Sequence, residues 1–337
     1  MSGFQSLGDL STSFRLRALN AGLKSDAARN AEELATGRTS DMARHVNGGL
    51  DRIAAMERSV RVLDMYGTAA GTLGARGAAL QVALNRVASQ TIETGTILIT
   101  AAGTLTQTSL AAGSDRASVA FETTVAALNA DFAGQALFAG KATKSAALPA
   151  ASDILDALET LSLGATSAAD IFAAVDLYFD GPTSTFETTT YLGDPESLAA
   201  VHIGEGETAS FQVTALDPDL RETLKNMSAA ALINRGALGN DLSEQSTLLR
   251  TAGENLLTAH EEVVDLQGRI GAVEERIETT RASNSARQSS VRIELNSVLS
   301  VDTFKTATDL QAVETRLEAL YISTSRLSQL SLTRYLR

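Results

Sequence analysis

Apolar residues recur along the second half of the chain with the spacing of a coiled coil. From Ala252 to Ile277 they fall alternately 4 and 3 residues apart, which is the pattern of a helix packed lengthwise against another helix. The same spacing occurs in the first half over residues 53–63 and 73–87. We therefore predict two long helices that pack side by side as a rod, and the second contributes Leu256, Val263, Leu266, Ile270, Val273 and Ile277.

Both ends of the chain carry sparser apolar stripes with the same spacing. A short stripe is not enough for a core of its own, so the simplest partner for one end is the other end. The tail is unusually apolar for a terminus, since terminal residues are more often polar and frayed. We predict that both stripes form a terminal coiled coil and an assembly interface, and its residues are Phe4, Leu7, Leu10, Phe14, Leu310, Val313, Leu317, Leu320, Leu327, Leu330, Leu332 and Leu336.

The middle of the chain has a different pattern. All four prolines lie there, between residues 149 and 218, and proline is strongly unfavourable inside a helix. Short β-branched segments at 188–193, 198–203 and 210–215 predict strands, with a hairpin turn at 204–207 between the last two. Short helices are predicted at 154–161 and 171–179. This region is therefore predicted to be a small α+β domain within a mainly α-helical protein.

These patterns predict three domains. The terminal coiled coil comprises residues 1–40 and 300–337, the helical rod 41–140 and 241–299, and the insert 141–240.

Two glycine-containing segments before the insert bear on where the helices of this region begin and how they pack. A Gly-Ser-Asp break at 113–115 places a helix start at Ser114 or Asp115. Gly67, Gly71 and Gly74 share one helical face, which predicts close contact with a neighbouring helix or, alternatively, a local break.

Charge and composition restrict the function. The net charge is −12, and residues 141–240 account for most of it, with 14 acidic and 5 basic side chains. Phosphate attraction needs a basic surface, so we expect no nucleic-acid partner. The apolar runs are too short to span a bilayer, so we expect no membrane insertion. The first 24 residues lack the apolar core of a Sec-type signal, although a transit peptide remains an alternative for this Ser-rich, acid-poor segment.

Few residues of the sequence suggest catalysis or ligand binding. His45, His202 and His260 follow no ligand spacing, and the chain has no cysteine, so we expect no metal site, no cofactor and no catalytic residues. The segment Gly134-QALFAGKA-Ala142 differs from a phosphate-binding loop because five residues separate its glycines and Ala142 stands where Ser or Thr would hold magnesium. A turn is the better interpretation. The chain is therefore predicted not to be an enzyme.

Several segments together resemble the flagellin and hook-associated protein family of bacterial flagella. They are Glu33-LATGR-Arg38, Ala136-LFAGK-Lys141, Tyr191-LGD-Asp194, Val201-HIGEGE-Glu207, Phe211-QVTA-Ala215 and Leu327-SQLSLTRYL-Leu336. The insert segments favour a subunit of the hook-filament junction over filament flagellin. The chain departs from the family after Arg38, where residues 39–45 form a shorter turn than is usual.

The resemblance implies a structural subunit exported unfolded through a type III channel without a cleaved signal, to an extracellular site at the hook-filament junction. Its implied partners are copies of itself, neighbouring hook-associated and flagellin subunits, and an export chaperone on its C-terminal part. Filament flagellin is the near alternative. A cytosolic coiled-coil scaffold or signalling rod is the alternative from another class, although it would need neither the insert nor an apolar tail.

Overall fold

The computed structural model describes residues 3–45, 49–180 and 184–335 and confirms the predicted mainly α-helical fold with a small α+β insert. The N-terminal arm contains α1 (Gly3–Thr36), α2 (Met42–His45), α3 (Leu50–Thr104) and α4 (Gln107–Leu128). The middle contains α5 (Ala151–Leu161), α6 (Ala168–Asp180) and α7 (Pro218–Ala231). The C-terminal arm contains α8 (Leu242–Leu299) and α9 (Thr303–Tyr335).

The described strands form two small antiparallel hairpins. In the first, β1 (Asp131–Phe132) pairs with β2 (Gln135–Ala136). In the second, β3 (Val201–Gly204) pairs with β4 (Glu207–Ala209), so that Val201 opposes Ala209. Gly206 in the intervening turn has φ +75°, a conformation that glycine adopts without strain. The predicted hairpin turn at 204–207 is therefore confirmed.

The other two predicted strands of the insert are wrong. The segment predicted at 188–193 begins inside a π-helical turn, Phe186–Thr190, and residues 210–215 form no regular strand. Packing explains the first difference. Phe186 is buried with its ring 4.7 Å from that of Phe179, and the Tyr178 hydroxyl lies 2.6 Å from Thr190 Oγ1. Tertiary contacts thus override the β propensity of the threonines.

The chain divides into two compact units. One comprises Met1–Asp64 with Ala286–Arg337, and the other comprises Met65–Ser285. We call them the terminal unit and the central unit. The boundaries of the three predicted domains stay a prediction.

Within the central unit, α3 and α8 run antiparallel with contacts that repeat every seven residues. Ser246 Oγ donates to the Ala102 carbonyl at 2.9 Å, and Gln81 Nε2 donates to the Gln267 carbonyl at 2.9 Å. Between them lie the contacts of Gly95 with Gly253 and of Ala88 with His260. The predicted rod residues line the inner face of α8, where Leu256, Val263, Leu266, Ile270 and Ile277 are buried and Val273 is half-buried against the core.

The glycine predictions for α3 are wrong. The helix is unbroken, and a Cβ added at Gly67 or Gly71 would meet nothing within 4 Å, while one at Gly74 would lie 3.8 Å from Ile277 Cγ2, an ordinary van der Waals distance. The close approach of α3 and α8 lies instead at Gly95, where an added Cβ would be 3.0 Å from the Gly253 carbonyl oxygen.

The predicted break at 113–115 is also wrong. Helix α4 runs through it and begins after Thr106, whose side chain accepts a hydrogen bond from the Ser109 backbone N–H. Ser114 is buried, with its Oγ donating to the Ala231 carbonyl at 3.1 Å and accepting from the Asn234 backbone N–H at 3.1 Å. A polar side chain therefore joins α4 to the end of α7 here instead of capping a helix.

Candidate assembly surface

The terminal unit is built on the pairing of α1 with α9. Their apolar seam contains Leu23, Val313 and Leu320, all buried, with Leu16, Ala27 and Leu317 packed against them. Leu310 extends the α9 stripe and is half-buried. The two ends of the chain therefore pair with each other, and α9 does so through the spacing seen in its sequence.

On α1, the seam residues differ from those predicted. Phe14 is 74% exposed and does not belong to the seam, which is formed by Leu16, Leu23 and Ala27 instead. Their spacing of 7 and 4 was present in the sequence, but polar Asn20 and Asn30 fall on the same face and interrupt the apolar pattern. The side chains of Phe4, Leu7, Leu10, Leu327, Leu330 and Leu332, and the whole of Leu336, lie outside the described residues.

Large apolar side chains of the terminal unit face away from the seam. Phe304 is 82% exposed and Ile322 is 56% exposed on α9, while Phe14 and Leu19 are exposed on α1. We call Phe14, Leu19, Phe304 and Ile322 the outer apolar set. Exposed apolar groups of this size are candidates for burial against another protein.

The segment Glu33-LATGR-Arg38 ends α1 and pairs with the linker between α8 and α9. Gly37 has φ +67° and redirects the chain after α1. Thr39 N–H then donates to the Leu299 carbonyl at 2.9 Å, and Val301 N–H donates to the Gly37 carbonyl at 3.1 Å. This short antiparallel bridge holds the end of α1 beside the start of α9.

Glu33 holds the turn that follows. Its Oε1 accepts hydrogen bonds from the Ser40 backbone N–H at 2.9 Å, the Ser40 hydroxyl at 3.1 Å and the Thr39 hydroxyl at 3.3 Å. Partial burial acts to raise the pKa of Glu33, but these hydrogen bonds outweigh it and lower the pKa below its usual value. The ionised carboxylate is therefore the form that stabilises the turn.

In the central unit, three other segments of the resemblance, at residues 136–141, 191–194 and 211–215, lie together. Leu137, Phe138 and Ala139 of Ala136-LFAGK-Lys141 are buried. The Phe138 carbonyl accepts from the Ala215 N–H at 2.9 Å, and the Lys141 N–H donates to the Glu196 carbonyl at 3.0 Å. Segments some 50 to 80 residues apart in sequence thus meet through backbone hydrogen bonds.

Tyr191 and Gly140 allow these segments to pack closely against each other. The Tyr191 hydroxyl donates toward the Phe138 carbonyl at 3.2 Å and the Asp194 carbonyl at 3.0 Å. Burial raises the pKa of Tyr191 to about 12, so the neutral phenol is strongly favoured. Gly140 has φ +57°, and a Cβ there would lie 2.0 Å from the Asp194 carbonyl oxygen. The segment from 134 to 142 is thus a packed turn region.

The histidines do not form a site. His45 is an exposed residue of the terminal unit, whereas His202 is exposed on β3 and His260 Nδ1 lies 3.1 Å from the Ala88 carbonyl oxygen in the central unit. Within the described ranges, no group of three or more His, Asp or Glu side chains could hold a metal ion. None of the described helices is long and apolar enough to cross a membrane.

Comparison with known proteins relates the chain to one fold. No protein-family model and no curated protein matches it. A solved structure of a Vibrio parahaemolyticus protein, described as a flagellar hook-associated protein, is similar with a TM-score of 0.52 and 15% sequence identity. The match covers 73% of this chain and 95% of the other. The two proteins share a fold.

Proposed function

We propose that this protein is a structural subunit of the bacterial flagellum that forms the hook-filament junction, the layer on which flagellin polymerises. It has no catalytic role in this proposal. Its partners are copies of itself, neighbouring hook-associated and flagellin subunits, and an export chaperone that binds its C-terminal part before type III export. Its place of action is outside the cell.

The observation that carries the proposal is the outer apolar set on the terminal unit. Helices α1 and α9 use one seam to pair with each other, yet Phe14, Phe304 and Ile322 remain more than half exposed. Burying one such side chain in a neighbouring subunit contributes about 1.5–3 kcal/mol. In a helical array, one surface of a subunit packs against a different surface of the next copy. Exposed apolar side chains on the paired helices α1 and α9 could be buried in such contacts.

Two further observations support the proposal. The similar fold of the Vibrio protein, described as hook-associated, agrees with a flagellar role. Some of the segments that resemble the family also make backbone and side-chain hydrogen bonds between distant parts of the chain, at the turn after α1 and around Tyr191. The acidic insert is well suited to face water, and the apolar ends to face other subunits.

Deletion of the gene tests the role. The proposal predicts intact hooks, missing filaments and flagellin released into the medium, as seen by electron microscopy and immunoblotting. Normal filaments would contradict a junction role. Missing filaments without any released flagellin would favour the alternative that this chain is the filament subunit itself.

Point variants test the surface. We expect Phe14→Asp and Ile322→Asp to be exported but unable to restore filaments in the deletion strain, since an inserted carboxylate opposes apolar burial. Gln311→Asp is the matched control, because it adds the same charge at an exposed polar position of α9. Restoration of filaments by all three variants would show that the outer apolar set is not an assembly surface.

A further inference from the structure

A half-open pocket of about 510 Å³ lies in the central unit, between one face of α3 and loops of the insert. Its walls are mostly apolar and include Leu73 and Leu80 of α3, Phe132 of β1, and Phe211 and Val213. This volume lies within the range typical of small-molecule sites, roughly 300–1,000 Å³. The flagellar role proposed above does not require such a pocket.

One cation lines this pocket. Arg76 is 9% exposed, with its Nη2 donating to the Ala136 carbonyl at 3.0 Å and the Leu137 carbonyl at 3.4 Å. Its Nη1 lies 3.5 Å from Gln135 Oε1. These contacts use at most three of the five N–H donors of a guanidinium, so at least two remain for a ligand. No acidic residue lines the pocket, and no ion pair joins Arg76 to any of the described carboxylates.

Other partly buried cations of the central unit are paired with acids. Lys225 contacts Asp176, Asp180 and Glu222 at 2.7–3.0 Å. Arg235 contacts Asp156 and Glu159. Arg116 contacts Glu93 at 3.0 Å. Arg76 departs from this pattern, because burial lowers its pKa with no carboxylate to offset the effect, whereas carboxylates do so at Lys225 and Arg235. Arginine nevertheless stays charged in proteins. A buried charge without a counter-charge is unfavourable, so an anion that reaches it gains a strong interaction.

We infer that this pocket binds an amphiphilic monocarboxylate, with its acid group on Arg76 and its apolar body along Leu73, Phe132 and Phe211. A carboxylate matches the planar donors of arginine. A phosphate or a dicarboxylate fits less well, because one cation faces it beside the carbonyl oxygens of Ala136 and Leu137. A free amphiphile suits the volume better than an acidic side chain of a neighbouring protein, which would leave most of the apolar wall uncovered.

Calorimetric titration of the full chain with octanoate and with octan-1-ol tests the inference. Both probes have the same apolar body, and only octanoate carries the acid. We expect saturable binding of one octanoate per chain, with weaker binding of octan-1-ol. Loss of a charged hydrogen bond reduces affinity by roughly tenfold or more, so Arg76→Met should weaken octanoate to that extent and leave octan-1-ol nearly unchanged. Arg86→Met, at an exposed position of the same helix, should change neither.

A second variant keeps the test decisive if Arg76→Met does not fold, as judged by circular dichroism. Ala199→Trp fills the pocket from an exposed lining position and leaves Arg76 in place. It should weaken both probes. The inference is overturned if octanoate shows no saturable binding, or if it binds Ala199→Trp or folded Arg76→Met as tightly as the wild type. Self-association of the chain that needs Arg76 and is insensitive to octanoate would assign the pocket to a neighbouring subunit and also overturn it.

Discussion

Replacement of Gly253 by alanine examines a close backbone contact between α3 and α8. The new Cβ would lie 2.7 Å from Ile99 Cγ1 and 2.9 Å from the Gly95 carbonyl oxygen. Carbon atoms in favourable contact are about 3.5–4.0 Å apart. A Cβ essentially never lies within 3.0 Å of any nonbonded heavy atom, so both distances are overlaps. Ile99 can change rotamer, but the Gly95 carbonyl belongs to the backbone of α3 and cannot retreat unless the helix moves.

Two effects of opposite sign set the magnitude. Overpacking of this kind costs about 1–3 kcal/mol. Alanine also favours a helix by about 1 kcal/mol relative to glycine. Gly268→Ala, in the same helix, gains the second effect alone because its Cβ meets nothing within 4 Å. The difference in unfolding free energy between the two variants therefore isolates the packing term, and we expect Gly253→Ala to be less stable than Gly268→Ala by about 1–3 kcal/mol.

Urea denaturation followed by far-UV circular dichroism measures this difference, with the slope of each transition checked for two-state behaviour. Gly95→Ala should resemble Gly253→Ala, since the two glycines face each other. Equal stabilisation by Gly253→Ala and Gly268→Ala would refute the close approach of these helices.

Three further outcomes are expected. Burial raises the pKa of Tyr191 from 10.0 to about 12, so its contribution to stability should be lost as the pH rises through this interval. In urea titrations at high pH, Tyr191→Phe should not show this loss. At neutral pH, Tyr191→Phe should be less stable than the wild type by about 1 kcal/mol. The lowered pKa of Glu33 means that its contribution to stability is present above pH 4.5 and is lost as the pH falls through the pKa of the folded state. Glu33→Ala should therefore make the stability of the terminal unit, measured by hydrogen exchange, less sensitive to acid. The same loss of stability at low pH in Glu33→Ala and the wild type would argue against the hydrogen bonds of Glu33 to Thr39 and Ser40. Gly140→Ala should severely destabilise the chain, because its Cβ would lie 2.0 Å from the Asp194 carbonyl oxygen. Gly134 has a similar positive φ but open space around it, so Gly134→Ala should reduce stability by only about 1 kcal/mol. Equal thermal midpoints for the two variants would contradict this.

The insert shows where local propensity stops being informative. The glycine turn at 204–207 was predictable because a tight reversal depends on the residues within it. The threonine-rich segment after Phe186 was not, because its conformation follows from the burial of Phe186 against Phe179. The pocket around Arg76 was equally invisible, since its walls come from segments more than 130 residues apart.

By itself, the sequence determined the long helices, their heptad faces and the pairing of the two ends, because apolar periodicity is a local property of each helix. Val313, Leu317 and Leu320 were identifiable for this reason. Only the tertiary structure decided which α1 residues meet them, that Phe14 is exposed, and that the backbones of α3 and α8 come into contact at Gly95 and Gly253. These outcomes depend on the register between two helices, and register is set by the joint packing of both surfaces and not by the pattern of either one.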